Sequence, residues 1–213
     1  MQYVESGCMG DFVAFYDDVE MVSVARSSAQ AMQGHAATLL NKKANLQHRW
    51  TQPPGDSVAA AEALALSMPS EMRSLFVDEI AAATDVLGEL LGCDEVGVRL
   101  MILRRPMCPR FHIDAVPCRL LIAVDGPGTQ WIGRDDVDSQ LFENRNSKVP
   151  PCAAIQQLMN GAWALMKGGA WQDGFDGVVH SSPQDGKARL LISMDPLFTV
   201  GASESRSHRR STN

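Results

Sequence analysis

The sequence predicts an α+β protein, with its helices gathered in the first half and its strands in the second. Two observations carry this reading. Apolar residues recur at helical spacing from Met72 to Leu90, and after Gly92 the pattern changes to short, β-branched, apolar runs. Clusters of Pro and Gly separate these segments and mark where each one ends.

The stretch from Met1 to about Gln52 is the least patterned; Met21 to Ala25 reads as a short strand. Ser27 to Arg49 is rich in Ala and Gln, carries Leu39, Leu40 and Leu46, and reads as a helix with Ser27 and Ser28 as candidate N-caps. Gln52-Pro-Pro-Gly55 breaks the chain, and Asp56 is placed to cap a helix from Ser57 to about Met68. Pro69-Ser70 restarts it. Met72, Leu75, Phe76, Ile80, Ala83, Leu87 and Leu90 then form one face of a long helix that Gly92 terminates. Val96 to Leu103, Arg119 to Val124 and Thr129 to Ile132 read as strands, with a turn at Asp125 to Gly128. Gly133 to Pro151 is polar and reads as loop. Ala153 to Met166 sets Ile155, Leu158, Met159, Ala162, Trp163 and Met166 at helical spacing and reads as a helix ended by Gly168-Gly169. Gly177 to His180 and Ala188 to Met194 read as closing strands. The division expected is a loosely patterned segment 1–52, a metal-binding domain with its packing helices over 53–200, and a Ser/Arg-rich disordered tail over 201–213.

Composition narrows the function. The chain has 213 residues, 45% hydrophobic and 21% charged, and a net charge of −6, which gives no electrostatic support for binding nucleic acid or an anionic membrane. No apolar run approaches the ~20 residues of a membrane helix. Met1 to Asp11 lacks the order of a signal peptide. The five cysteines are odd in number and none is spaced as CxxC, so a reducing, cytoplasmic location is expected.

The residues that point to chemistry are His112-Ile-Asp114, His180 and Arg189. A His and a carboxylate two positions apart on a strand share a face. A second His from a distant strand completes a facial His-Asp-His triad of the kind that leaves Fe(II) open positions. A 2-oxo acid can chelate through two of these positions and O2 can take the third. The far carboxylate of that acid then needs a cation, and Arg189, on the strand after His180, fits. Arg119, at the start of its own strand, is a second candidate contact for cosubstrate or substrate. Cys108 and Cys118 flank the HxD and give a rival set suited to Zn(II), although Pro109 and Pro117 interrupt the strand that would align them. His35 and His48 lie in the helical half and His208 in the tail.

The run from His112 to Ile132 resembles Fe(II)/2-oxoglutarate dioxygenases of prolyl-4-hydroxylase type, through HxD, a strand, and Gly126-Pro-Gly-Thr-Gln-Trp131. His180, Pro183, Gly186 and Arg189 match their second half. Cys108-Pro-Arg-Phe-His-Ile-Asp114, Arg119-Leu, Gly126 to Trp131, Val179-His-Ser-Ser-Pro183 and Arg189-Leu-Leu more closely resemble the bacterial family catalogued as domain of unknown function 1826, over roughly residues 57 to 196. Ser181-Ser182 stand where a more basic residue is expected beside the ligand His. The resemblance implies a double-stranded β-helix (jelly roll) core under an N-terminal helical layer. It also implies a mononuclear metal held by His112, Asp114 and His180, with 2-oxoglutarate as cosubstrate on Arg189 and Arg119. The substrate would be a small molecule or a protein side chain. The closer family is associated with bacterial zinc-homeostasis gene neighbourhoods. That makes a non-redox zinc-binding protein, with Cys108 or Cys118 as a ligand, the alternative. A jelly roll that binds a partner and has lost its metal is the third reading.

Overall fold

A computed structural model of the chain describes residues 3–17, 19–42, 45–137, 154–171 and 176–199. The tail and most of the loop read at Gly133 to Pro151 lie outside the described residues, apart from a short 3-10 turn at Arg134–Asp136. Ten strands and four α-helices are described. The strands are β1 (Tyr3–Ser6), β2 (Met21–Val24), β3 (Leu46–Gln52), β4 (Glu95–Leu103), β5 (Cys118–Asp125), β6 (Gln130–Ile132), β7 (Ile155–Gln157), β8 (Trp163–Lys167), β9 (Val179–Ser181) and β10 (Arg189–Leu197). The helices are α1 (Ala14–Asp17), α2 (Ala29–Lys42), α3 (Ser57–Ala65) and α4 (Ser70–Leu91).

Seven strands form one sheet in the order β1-β2-β8-β5-β10-β4-β3, and three form a second in the order β7-β6-β9. Every pairing is antiparallel except β1 with β2. The first fifty-two residues supply both edges of the large sheet, β1 and β2 at one side and β3 at the other. Two expected helices differ. The stretch from Leu46 to Arg49 belongs to β3, and the expected helix over Ala153 to Met166 is replaced by β7 and β8. The remaining expected helices and strands are present within one to three residues of their ends.

The alternation of side chains along the large sheet sorts the core into two parts. On one face Val98, Leu100, Cys118, Leu120, Ile122, Leu190, Ile192 and Trp163 share a cluster with Met32 and Leu39 of α2, Leu64 of α3 and Phe76, Ile80 and Leu87 of α4. Phe76 and Ile80 have no exposed surface, and truncating such a Phe costs roughly 3–5 kcal/mol. On the other face Met101, Leu121, Ala123, Met166 and Leu191 meet Trp131 of β6, Leu158 and Val178. This second cluster lies between the sheets, and the polar residues of the same face, Arg99, Arg119, Arg189, Ser193 and Asp195, continue beyond it.

Helix ends follow their local chemistry. Asp56 accepts from the backbone N–H of Val58 and Ala59 at 3.0 and 2.9 Å, capping α3. Gly92 closes α4 with φ +61°, the left-handed conformation that glycine adopts without steric cost.

Candidate metal centre

His112 lies on the segment between β4 and β5, and His180 on β9. Their backbones form an isolated antiparallel bridge: His112 N–H donates to the His180 carbonyl at 3.0 Å and His180 N–H donates back at 2.9 Å. That reciprocal pair brings two residues far apart in sequence side by side, with ring centroids 4.6 Å apart. Asp114 joins them. Its Oδ1 is 3.6 Å from His112 Nε2 and its Oδ2 is 3.4 Å from His180 Nε2. One ligand atom from each of the three residues falls within 4.8 Å of the others.

The outer ring nitrogens are engaged. His112 Nδ1 is 2.9 Å from the Arg110 carbonyl oxygen and His180 Nδ1 is 3.0 Å from that of Val178. A carbonyl only accepts, so each Nδ1 carries a proton; each Nε2 faces Asp114, donating to it when protonated and free to bind a metal when not. The latter form, fixed by an outer hydrogen bond, is the one a metal-binding histidine uses. Burial works to raise the Asp114 carboxyl. Hydrogen bonds from His112 and His180, with the charges of His180 and Arg119, outweigh it and hold the group far below the usual carboxylate range. Two imidazole nitrogens and an ionised carboxylate form a donor set that fits a divalent first-row metal and leaves other coordination positions open.

Glycines let the backbone close around Asp114. A Cβ on Gly168 would stand 2.1 Å from the Val116 carbonyl oxygen and 2.8 Å from that of Asp114. Gly177, at φ +90°, packs so that a Cβ would lie 2.8 Å from the Gly168 backbone. Gly169 N–H donates to the Asp114 carbonyl at 2.8 Å.

Arg189 opens β10 and lines the same cavity as the triad. It is 4% exposed. It donates to Ser182 Oγ at 3.0 Å and to Thr129 Oγ1 at 3.4 Å, and among the described residues no carboxylate forms an ion pair with it. Burial pushes its guanidinium down to about 10, so it stays a cation at neutral pH. Gly126 allows this placement. With φ +82°, a Cβ there would meet the Ala188 carbonyl oxygen at 2.3 Å and Arg189 Cα at 2.7 Å. Ser182, where a more basic residue was expected, is thus part of the cradle around Arg189. Its N–H also donates to the Cys108 carbonyl.

Arg119 is engaged in the protein. Its Nη1 donates to Asp114 Oδ2 at 2.7 Å, while Nε and Nη2 donate to the two oxygens of Asp195 at 2.6 and 3.1 Å. Asp195 also pairs with Arg99. The candidate zinc ligands stand apart from the triad. Cys118 is fully buried in the cluster on the helix-facing side of the sheet, because it lies one residue from Arg119 and side chains alternate. Cys108 lines the cavity, but its thiol is outside the group of ligand atoms formed by His112, Asp114 and His180. A closed four-ligand site including either cysteine is not formed among the described residues. Asp195 went unnoticed in the sequence, although Arg189, Leu191, Ser193 and Asp195 follow the period of one strand face. No helix among the described residues is long and apolar enough to cross a membrane.

The fold is similar to that of known dioxygenases. The dioxygenase for auxin oxidation from rice superposes with a TM-score of 0.58 at 13% identity, covering 92% of this chain and 83% of the rice chain. The corresponding Arabidopsis thaliana dioxygenase, solved as a complex with 2-oxoglutarate, gives 0.57 at 11% identity, covering 94% of this chain and 93% of that one. The Fe(II)/α-ketoglutarate-dependent dioxygenase TqaL gives 0.52 at 10% identity, covering 92% and 88%. No curated protein matches the sequence. The sequence does match a family profile over residues 8–195, beginning well before the 57 at which the resemblance was first legible, and the chain belongs to that family, described as protein of unknown function (DUF1826).

Proposed function

We propose that the protein is a mononuclear non-haem Fe(II)/2-oxoglutarate-dependent oxygenase built on a double-stranded β-helix, the two sheets forming its walls. The observation that carries this reading is one cavity holding both the His112–Asp114–His180 cluster and the buried cation of Arg189, with which no carboxylate among the described residues forms an ion pair. A buried guanidinium without an anion is costly, and a dianionic cosubstrate whose far carboxylate meets it supplies the missing partner. His112 Nε2, Asp114 and His180 Nε2 would hold the metal, and the fork of Arg189, steadied by Ser182 and Thr129, would orient 2-oxoglutarate. When bound, iron supplies the activation of O2 for hydroxylation. The fold shared with a 2-oxoglutarate-bound dioxygenase supports the choice of cosubstrate.

The test is anaerobic reconstitution of the full chain with Fe(II), followed by 2-oxoglutarate under argon and then air with ascorbate. One metal per chain, a visible charge-transfer band on adding 2-oxoglutarate, and succinate release in air are expected. Retention of full metal stoichiometry in His112→Ala would overturn the triad.

A further inference from the structure

We propose that Arg119 is a positioning residue for the ligand Asp114, locked in place by Asp195, and not a contact to cosubstrate. The inference rests on the metal-site reading above and assigns a role within it.

Three of the donors of Arg119 are committed inside the protein. Nε and Nη2 form a two-pronged pair with Asp195, and the remaining prong, Nη1, reaches Asp114 Oδ2 at 2.7 Å. Asp195 takes Arg99 as well, so its carboxylate is fixed from two strands. It sits on β10, whose pairing with β4 is continuous from Arg189 to Leu197, and it does not line the cavity. The line of support therefore runs from the middle of the large sheet, through Asp195 and Arg119 on β5, to Asp114.

Asp114 needs such support more than its neighbours do. Each histidine is held by the reciprocal backbone bridge and by an Nδ1 hydrogen bond. Asp114 lies on an irregular segment, and the described contact that fixes its side chain from outside the triad is Arg119. Nη1 holds Oδ2 from outside the triad, which fixes the carboxylate plane and leaves Oδ1 without an outside hydrogen bond among the described contacts. Single-oxygen ligation keeps the further positions open for a chelating cosubstrate.

The test titrates Co(II) into the metal-free full chain and follows its absorption spectrum. Arg119→Gln is expected to weaken Co(II) binding by about 10- to 100-fold and to alter the band pattern that reports coordination. Asp195→Asn, which touches neither the cavity nor the triad, is expected to fall in the same range. The double variant should bind no more weakly than Arg119→Gln alone, because both changes cut one line of support. If Arg119→Gln does not fold, Arg119→Lys, which keeps the charge and loses the fork, is compared with Asp195→Asn instead. Wild-type Co(II) affinity in both single variants overturns the inference, as does loss confined to 2-oxoglutarate affinity in the metal-loaded protein. A wild-type chain that binds no Co(II) overturns the metal-site reading itself, whereas intact wild-type binding with indifferent variants overturns the positioning role only.

Discussion

Arg189 owes its chemistry to where its charge is stranded. Hydroxyls of Ser182 and Thr129 take up part of its hydrogen-bonding capacity, and neither neutralises it. Arg189→Gln should keep one metal per chain and lose 2-oxoglutarate affinity by about tenfold or more, since a hydrogen bond to a charged group is worth roughly 1.5–3 kcal/mol. Calorimetric titration of the metal-loaded variant checks this, and unchanged affinity would remove Arg189 from the site. The position of Arg189 after His180 was readable from sequence because one strand and one turn separate them. Arg119 was readable as a cavity residue, but its partner was not. Asp195 stands in a Met-Asp-Pro-Leu string that looks like a strand end, and only the register of β10 against β5 brings it to Arg119.

At the scale of elements, the caps and glycines carry measurable weight. Asp56→Ala should destabilise the protein by about 1 kcal/mol, the usual cost of losing an N-cap, seen as a lower urea midpoint with an unchanged slope. Gly177→Ala should cost more than about 1 kcal/mol in the same measurement, because the φ of +90° disfavours a Cβ and the Gly168 backbone fills its space. A wild-type midpoint would mean that the clasp around Asp114 yields easily. The elements with one wet face were legible: α3, α4 and the first half of β4 show their periods and their stops. The element that misled was β8. All five of its residues are buried, so its apolar run lacks the alternation that marks a half-exposed strand, and it fell into helical spacing with Leu158 and Ala162. Two members of that supposed helical face, Ile155 and Met159, are each 46% exposed. In β3 the alternation is present, with Leu46 and Gln52 buried and Gln47, Arg49 and Thr51 exposed, but it follows directly on an Ala-rich helix whose composition overshadowed it.

For the whole molecule, the apolar junction of helices and sheet also carries one buried carboxylate. Glu79 of α4 is 4% exposed and accepts from Arg26 Nε at 3.0 Å, Ser28 Oγ at 2.8 Å and Trp163 Nε1 at 2.8 Å, while the Arg26 guanidinium lies 4.2 Å from the Trp163 ring centroid. Glu79→Ala should cost about 3–5 kcal/mol, since it strands a cation and an indole N–H at a buried joint, and equilibrium denaturation measures it. A loss near zero would show that hydrophobic packing alone seats α4. The hydrogen-bonded bridge between His112 and His180 has a different kind of consequence. Main-chain hydrogen bonds set these two side chains side by side, so the polypeptide itself can assemble the ligand pair ahead of any metal. Loading then becomes the last event in the life of the polypeptide, not the one that shapes it. Stripping the ion with a chelator should leave the far-ultraviolet dichroism in place and lower the melting temperature only by simple mass action, equivalent to about 2.7 kcal/mol when the metal had been present at a hundred times its Kd. A chain that collapses on chelation, as zinc fingers do, would contradict this order of events.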